Sequence, residues 1–127
     1  MGKTSGLIRL DSEIQKMINY KGNLYTISNL NEVNIISTNP IEIVRKVKFE
    51  DQILTTIYCN DEYFMYGDQF NHLYLIKHED LEKDKINKKN LAGHDSWILD
   101  IIDDEKYIYT CSDDKKVLVW DKKYREF

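Results

Sequence analysis

Apolar residues recur along this chain in short clusters of four to six, each closed by a polar turn. The last third shows the plan most plainly: Ile98 to Ile102, the turn Asp103-Asp104-Glu105-Lys106, Tyr107 to Cys111, the turn Ser112 to Lys116, then Val117 to Trp120. Runs this short, rich in Ile, Val, Tyr and Thr and bounded by polar turns, predict the strands of an antiparallel meander. They are too short for helices.

The plan occurs three times. YIYTCSDDKKVLVW, from Tyr107 to Trp120, aligns without a gap to YFMYGDQFNHLYLI, which begins 44 residues earlier at Tyr63. It aligns equally to NLYTISNLNEVNII, which begins 84 residues earlier at Asn23. The apolar positions in front follow suit: Ile98, Ile101 and Ile102 match Leu54, Ile57 and Tyr58, and Ile14, Met17 and Ile18. A period of about 40–45 residues suits a unit of four strands. The repeats then span 5–38, 39–78 and 79–121 of a single repeat region, with 122–127 the start of a further strand or a tail. A fourth, outer strand should come from the linking segments. Ile41 to Val47 has the alternation of a half-exposed strand, and Gly6 to Leu10 would be its counterpart before the first unit. Leu81 to Asn90 is more polar, and reads as a long surface loop running into a weak edge strand. Pro40 falls between units, where a missing N–H costs no ladder bond.

Composition agrees. The strongest helix former is almost absent, with Ala92 the single alanine, while nine tyrosines are present. The class is all-β. A net charge of −4 gives no electrostatic footprint for nucleic acid, and the clusters at Arg45–Lys48 and Lys83–Lys89 read as solvated surface. No apolar run approaches the length of a membrane helix, and the N-terminus lacks the apolar stretch of a signal peptide. By elimination the expected compartment is cytoplasmic or nuclear. Cys59 and Cys111 have no zinc-ligand spacing and are expected to be small buried hydrophobes. No metal or cofactor is expected.

Leu91-Ala92-Gly93-His94, Trp97 to Ile101, Ser112-Asp113-Asp114 and Val117 to Asp121 together resemble a WD repeat: a Gly-His pair, a Trp-Asp end, and an Asp six residues before that Trp. The resemblance implies a β-propeller segment of about three four-stranded blades. It also implies a structural hydrogen-bond network of His94, Asp114, Trp120 and either Thr110 or Ser112, in which the buried indole and imidazole satisfy each other's polar atoms. A His–Asp–Ser set could suggest a hydrolase triad, but here the resemblance makes it structural. The other copies depart from the pattern, with Glu50, Phe70 and Ile76 in the second and Leu10, Leu30 and Ile36 in the first. Losing all three polar positions together is less costly than orphaning one of them.

The family resemblance further implies a scaffold for protein–protein interaction, binding other proteins at one rim and catalysing nothing. The rim positions are Asp95, Ser96, Trp97, Asp113 and Lys115, with Gln69 and Asn71 in the second unit and Asn29 and Asn31 in the first. Trp97 is either a binding anchor or packed between neighbouring blades. His72 and His78 look like surface histidines without metal partners. Propellers close with four to eight blades, so three blades leave three possibilities. The chain is a fragment of a longer propeller, or two copies pair into a six-bladed ring, or another protein completes it. The rival functions are a purely structural segment of a longer propeller and a propeller hydrolase.

Overall fold

The computed structural model describes residues 2–29, 31–81, 83 and 88–124. They form three antiparallel sheets that follow one another along the chain. The first holds β1 (Ile14–Tyr20), β2 (Asn23–Ser28), β3 (Glu32–Thr38) and β4 (Ile41–Lys48) in that order. The second holds β5 (Leu54–Cys59), β6 (Tyr63–Asp68), β7 (His72–Lys77) and β8 (Lys88–Ala92). The third has three strands among the described residues: β9 (Ile98–Asp103), β10 (Tyr107–Ser112) and β11 (Val117–Asp121). A single helical turn, α1 (His78–Leu81), opens the segment expected to be a loop, and Leu81 is buried. Lys85, within the second lysine cluster, lies outside the described residues.

The turns explain the meanders. Gly22 and Lys21 both take positive φ between β1 and β2, and Asn29, Asn71 and Lys115 do so between the second and third strands of each sheet. Asn visits that region more readily than most side chains because its short polar group bonds locally. In every sheet the first strand carries one register irregularity against the second, at Ile14/Lys16, at Leu54/Thr56 and at Ile98/Asp100 opposite Cys111/Ser112. The three sequence repeats thus share a bulge as well as an apolar frame.

The linking segments do supply the fourth strands, and the pairing shows which sheet takes each. β4 pairs with β3, and β8 with β7, so each linking strand completes the sheet before it rather than the one after. The reason is local. Only Asn39-Pro40 separates β3 from β4, so the two close as a hairpin, whereas β4 and β5 are further apart. Pro40 therefore sits in a turn within the first sheet, its carbonyl accepting from Ser37 Oγ at 2.7 Å. Gly6 to Leu10 forms no strand.

The chain divides into two compact units, Met1–Asp51 and Gln52–Phe127. The first contains the first sheet, with Ile27, Val33, Ile35, Val47 and Phe49 buried. In the second unit, β5 and β6 pack against β9. Tyr63, Met65, Leu73 and Leu75 of the second sheet meet Ile98, Ile101 and Ile108 of the third in one core, with Tyr58, Leu91 and Trp120 at its margin. Gly67 allows the close approach: a Cβ there would stand 3.0 Å from Ile98 Cβ.

Candidate functional site

The densest polar arrangement lies in the third sheet, and β10 organises it. Alternation along β10 turns Ile108, Thr110 and Ser112 inward together. Register places Trp120 opposite Ile108 and Leu118 opposite Thr110. Trp120 Nε1 donates to Thr110 Oγ1 at 2.9 Å, and His94 Nε2 lies 2.7 Å from the same oxygen. On its other side His94 Nδ1 is 2.8 Å from Asp114 Oδ2. An ionised carboxylate only accepts, so Nδ1 carries the proton that faces it; a neutral ring then accepts at Nε2 from the Thr110 hydroxyl. The chain of donors runs from indole to hydroxyl to imidazole to carboxylate, with the ring of His94 fully covered and Asp114 only 4% exposed.

Asp114 is held from several directions. It accepts from the N–H of Asp95 at 2.9 Å and, through Oδ1, from the N–H of Lys116 at 2.9 Å. Burial pushes its carboxyl up, but these two N–H groups and the imidazole outweigh it and bring the pKa down to about 2. Ser112 does not touch the imidazole; its Oγ accepts the Asp114 N–H at 3.1 Å and shapes the turn. Gly93 clears space for the indole, because a Cβ there would lie 2.9 Å from Trp120 Cη2 and 2.9 Å from Leu118 Cδ1.

The expected rim residues divide into two groups. Asp95, Asp113 and Lys115 are exposed, Ser96 is half-buried, and Trp97 is 46% exposed rather than packed away. The 95–97 loop and the 113–115 turn lie at the same end of the sheet, since Ile98 pairs with Ser112. Lys116 Nζ to Asp95 Oδ2, at 3.0 Å, ties loop to turn. Gln69, Asn71 and Asn31 are half-buried. Gln69 Oε1 accepts from Ile53 N at 2.8 Å, Asn71 N donates to Asp68 O at 3.1 Å, and Asn31 N donates to Asn29 O at 2.8 Å. Asn29 is exposed.

The second sheet carries a replacement network that the motif positions do not reveal. Glu50 and Phe70 are exposed and Ile76 is buried, so the three matched positions take no part. Tyr66 instead holds the place of Thr110, and its longer side chain carries the hydroxyl further. It donates to Gln52 Oε1 at 3.1 Å, and Gln52 Nε2 donates to Asp68 Oδ2 at 3.0 Å. Lys88 Nζ reaches the same Gln52 oxygen at 2.7 Å, and Tyr66 stacks on Tyr74 with centroids 4.9 Å apart. Gln52 and Asp68 align with Ser96 and Ser112, two positions from where the motif puts its polar residues. In the first sheet the replacement is incomplete. Asn34 Nδ2 donates to Ser28 Oγ at 2.7 Å, while Thr26 Oγ1 and Asn34 Oδ1 are buried without a partner. Leu10 lines a groove with Thr26 and Ile36; Leu30 lies outside the described residues.

Residues 86–121 match the family model of the WD domain, G-beta repeat. The WD repeat so matched holds the whole His94–Asp114–Thr110–Trp120 chain, β8 and the third sheet. No curated protein matches the sequence. The crystal structure of the computationally designed Ika4 protein is similar, with a TM-score of 0.60 over 95% of this chain and 99% of that one, at 11% sequence identity. Identity that low bears on the fold alone, and the fold is all-β and propeller-like, its sheets being blade-type meanders.

Elsewhere in the chain, both cysteines are free and half-buried, and burial pushes the Cys59 thiol up to about 12. His72 and His78 are half-buried rather than on the surface, His78 Nε2 lying 2.7 Å from Asn60 O. Among the described residues no group of three His, Cys, Asp or Glu side chains is placed to hold a metal ion. No described helix is long and apolar enough to cross a membrane.

Proposed function

We propose that the chain is a scaffold for protein–protein interaction, acting as one repeat region that presents the 95–97 loop and 113–115 turn to a partner protein. The supporting observation is the division of labour around Asp114. The buried half of the WD repeat is consumed by its own hydrogen bonds, which fix the loop and turn, while Trp97 stands exposed beside Asp95, Asp113 and Lys115. A large amphipathic ring on a rigid support at a charged rim is what binding hot spots are made of. His94 and Asp114 serve as a staple; with Asp114 and Thr110 satisfying the imidazole and Trp120 donating to Thr110, the network itself leaves no side chain poised as a nucleophile, so the reading is non-catalytic. The blades are completed by other blades, from a second copy giving a six-bladed ring or from further sequence of a longer propeller. Two half-buried free thiols suit a reducing cytoplasmic or nuclear setting.

Affinity capture from extracts of the source cell, with the wild-type chain beside a W97A/K115A variant, tests the reading. A protein retained by the wild type and lost by the variant supports it. The alternative, a purely structural segment, expects capture indifferent to rim substitution.

A further inference from the structure

The third sheet leaves one face uncovered. Opposite the core, strand pairing sets Ile102 and Val119 beside Tyr109, and Val117 beside Cys111. Ile102 is 57% exposed, Val117 66% and Val119 56%, and Ile102 and Val117 border a shallow groove of about 180 Å³ with Tyr109 and Cys111. Exposure of this much contiguous apolar surface marks an interaction site.

The internal repeat says what such a face is shaped for. Ile102, Tyr109, Val117 and Val119 align, 44 residues on, with Tyr58, Met65, Leu73 and Leu75, the very residues the second sheet packs against the third. The surface they pack against consists of Ile98, Ile101, Ile108 and Trp120, whose counterparts 84 residues earlier are Ile14, Met17, Leu24 and Ile36. Ile14 and Met17 are exposed too while Ile36 is buried, and all four border a groove of about 230 Å³ on the first sheet that Gly6, Leu7, Ile8 and Leu10 of the N-terminal segment also line. One chain thus carries both halves of an apolar contact whose pattern is built once already within it, the third sheet's half exposed and the first sheet's exposed at Ile14 and Met17 beside the N-terminal segment.

We infer that the open face of the third sheet docks on the open face of the first sheet in a second copy of this chain, repeating the packing of the second sheet on the third. This rests on the scaffold reading above and names one partner for it. The polar margin fits with its polarity reversed. Within the chain Asn60 Nδ2 donates to Asp103 Oδ2 at 3.0 Å; the counterparts are Asp104 as acceptor and Asn19 of the second copy as donor. The backbone fits as well. β8 gives the second sheet its fourth strand; among the described residues its counterpart, residues 4–8, forms no strand, and β11 is an edge of its sheet. One corner differs: Cys111 stands where the second sheet has Gly67. Since a Cβ on Gly67 would lie 3.0 Å from Ile98 Cβ, the Cys111 side chain sets Ile14 back by a few tenths of an ångström. The contact is heterologous, joining two different surfaces of identical chains.

That corner supplies the test. Cβ atoms about 3.5–4.5 Å apart permit a disulfide, so the I14C thiol of one copy would face the native Cys111 of another. With oxidised glutathione as oxidant, purified I14C is expected to become a covalent species of two or more chains, with peptide mapping locating the link between positions 14 and 111. Wild type and I14C/C111S are expected not to cross-link. As a measurement free of engineered thiols, V119D at its exposed position is expected to weaken self-association in sedimentation velocity about tenfold or more, as loss of one central apolar anchor does. A non-cross-linking I14C, a link closed within one chain, or self-association unmoved by V119D overturns the inference. If those results come with rim-dependent capture intact, the scaffold reading stands and only the second copy is excluded. Cross-linking without rim-dependent capture is the opposite failure.

Discussion

Gly93 and Trp120 are in contact so close that neither tolerates growth of the other: a Cβ on Gly93 would lie 2.9 Å from Cη2 of the indole. Gly93 does not take a positive φ, so space and not backbone freedom requires glycine there. G93A must push the indole away from Thr110, and with it the hydrogen bond that spends the indole N–H. Overpacking of this kind costs about 1–3 kcal/mol. The G93A urea midpoint is expected to fall, and Trp fluorescence to shift as the Trp120 ring moves.

Two threonines at equivalent positions are expected to behave oppositely. Thr110 joins indole to imidazole, so T110V leaves a covered N–H and a ring nitrogen unsatisfied, at a cost of about 1–3 kcal/mol. Thr26 is just as buried but has no partner for its hydroxyl. T26V removes an orphaned polar group and keeps the shape, so it is expected to be neutral or stabilising by up to about 1 kcal/mol. Equilibrium denaturation of the two variants decides the matter; equal destabilisation would mean that Thr26 has a role its contacts do not show.

The same pair shows what could be read from the sequence. Three repeats, their turns and the apolar frame were legible because side-chain alternation and turn residues act locally and recur. Which sheet took each linking strand was not, because an amphipathic strand such as Ile41 to Lys48 suits either neighbour and the two-residue turn decides. The WD motif located His94, Thr110, Asp114 and Trp120, all of which meet. It could not choose Thr110 over Ser112, since both hydroxyls face inward. Nor could it find Tyr66, Gln52 and Asp68, whose network depends on the reach of a phenol in a threonine's place. A polar residue displaced by two positions keeps the face of its strand, and that period is the signal that would have found Asp68.

Asp114 makes stability depend on acid. Its carboxyl titrates at about 2 in the fold against 3.8 ordinarily. A depressed carboxyl contributes stability that is complete above its unfolded pKa and is lost as pH falls through the folded one. The expected profile is flat from neutrality to about pH 5, then falling between about pH 4 and pH 2. D114N is expected to remove that contribution, so the wild-type advantage should shrink across the same window. Urea midpoints taken in steps of pH for both proteins measure it.

The packing of the second sheet on the third has its own polar clamp at Asp103. Its carboxylate accepts from Tyr58 OH at 2.6 Å, Asn60 Nδ2 at 3.0 Å and Lys122 Nζ at 2.6 Å. Burial raises its pKa and these three donors, Lys122 foremost, bring it below the usual carboxylate range. In D103N the new amide group faces donors, and the variant loses charge-assisted bonds worth about 1.5–3 kcal/mol. Tyr58 reports the same loss from the other side. Its phenol is pushed up to about 12, by burial first and then by the bond and negative charge of Asp103. D103N keeps the burial and removes the charge, so the Tyr58 pKa is expected to drop part of the way back toward 10. A titration followed at tyrosine ring carbons by NMR, with Y58F to assign the resonance, distinguishes the cases. A Tyr58 phenol that holds at about 12 in D103N would mean that burial alone sets its pKa and that Asp103 is not the clamp between the sheets.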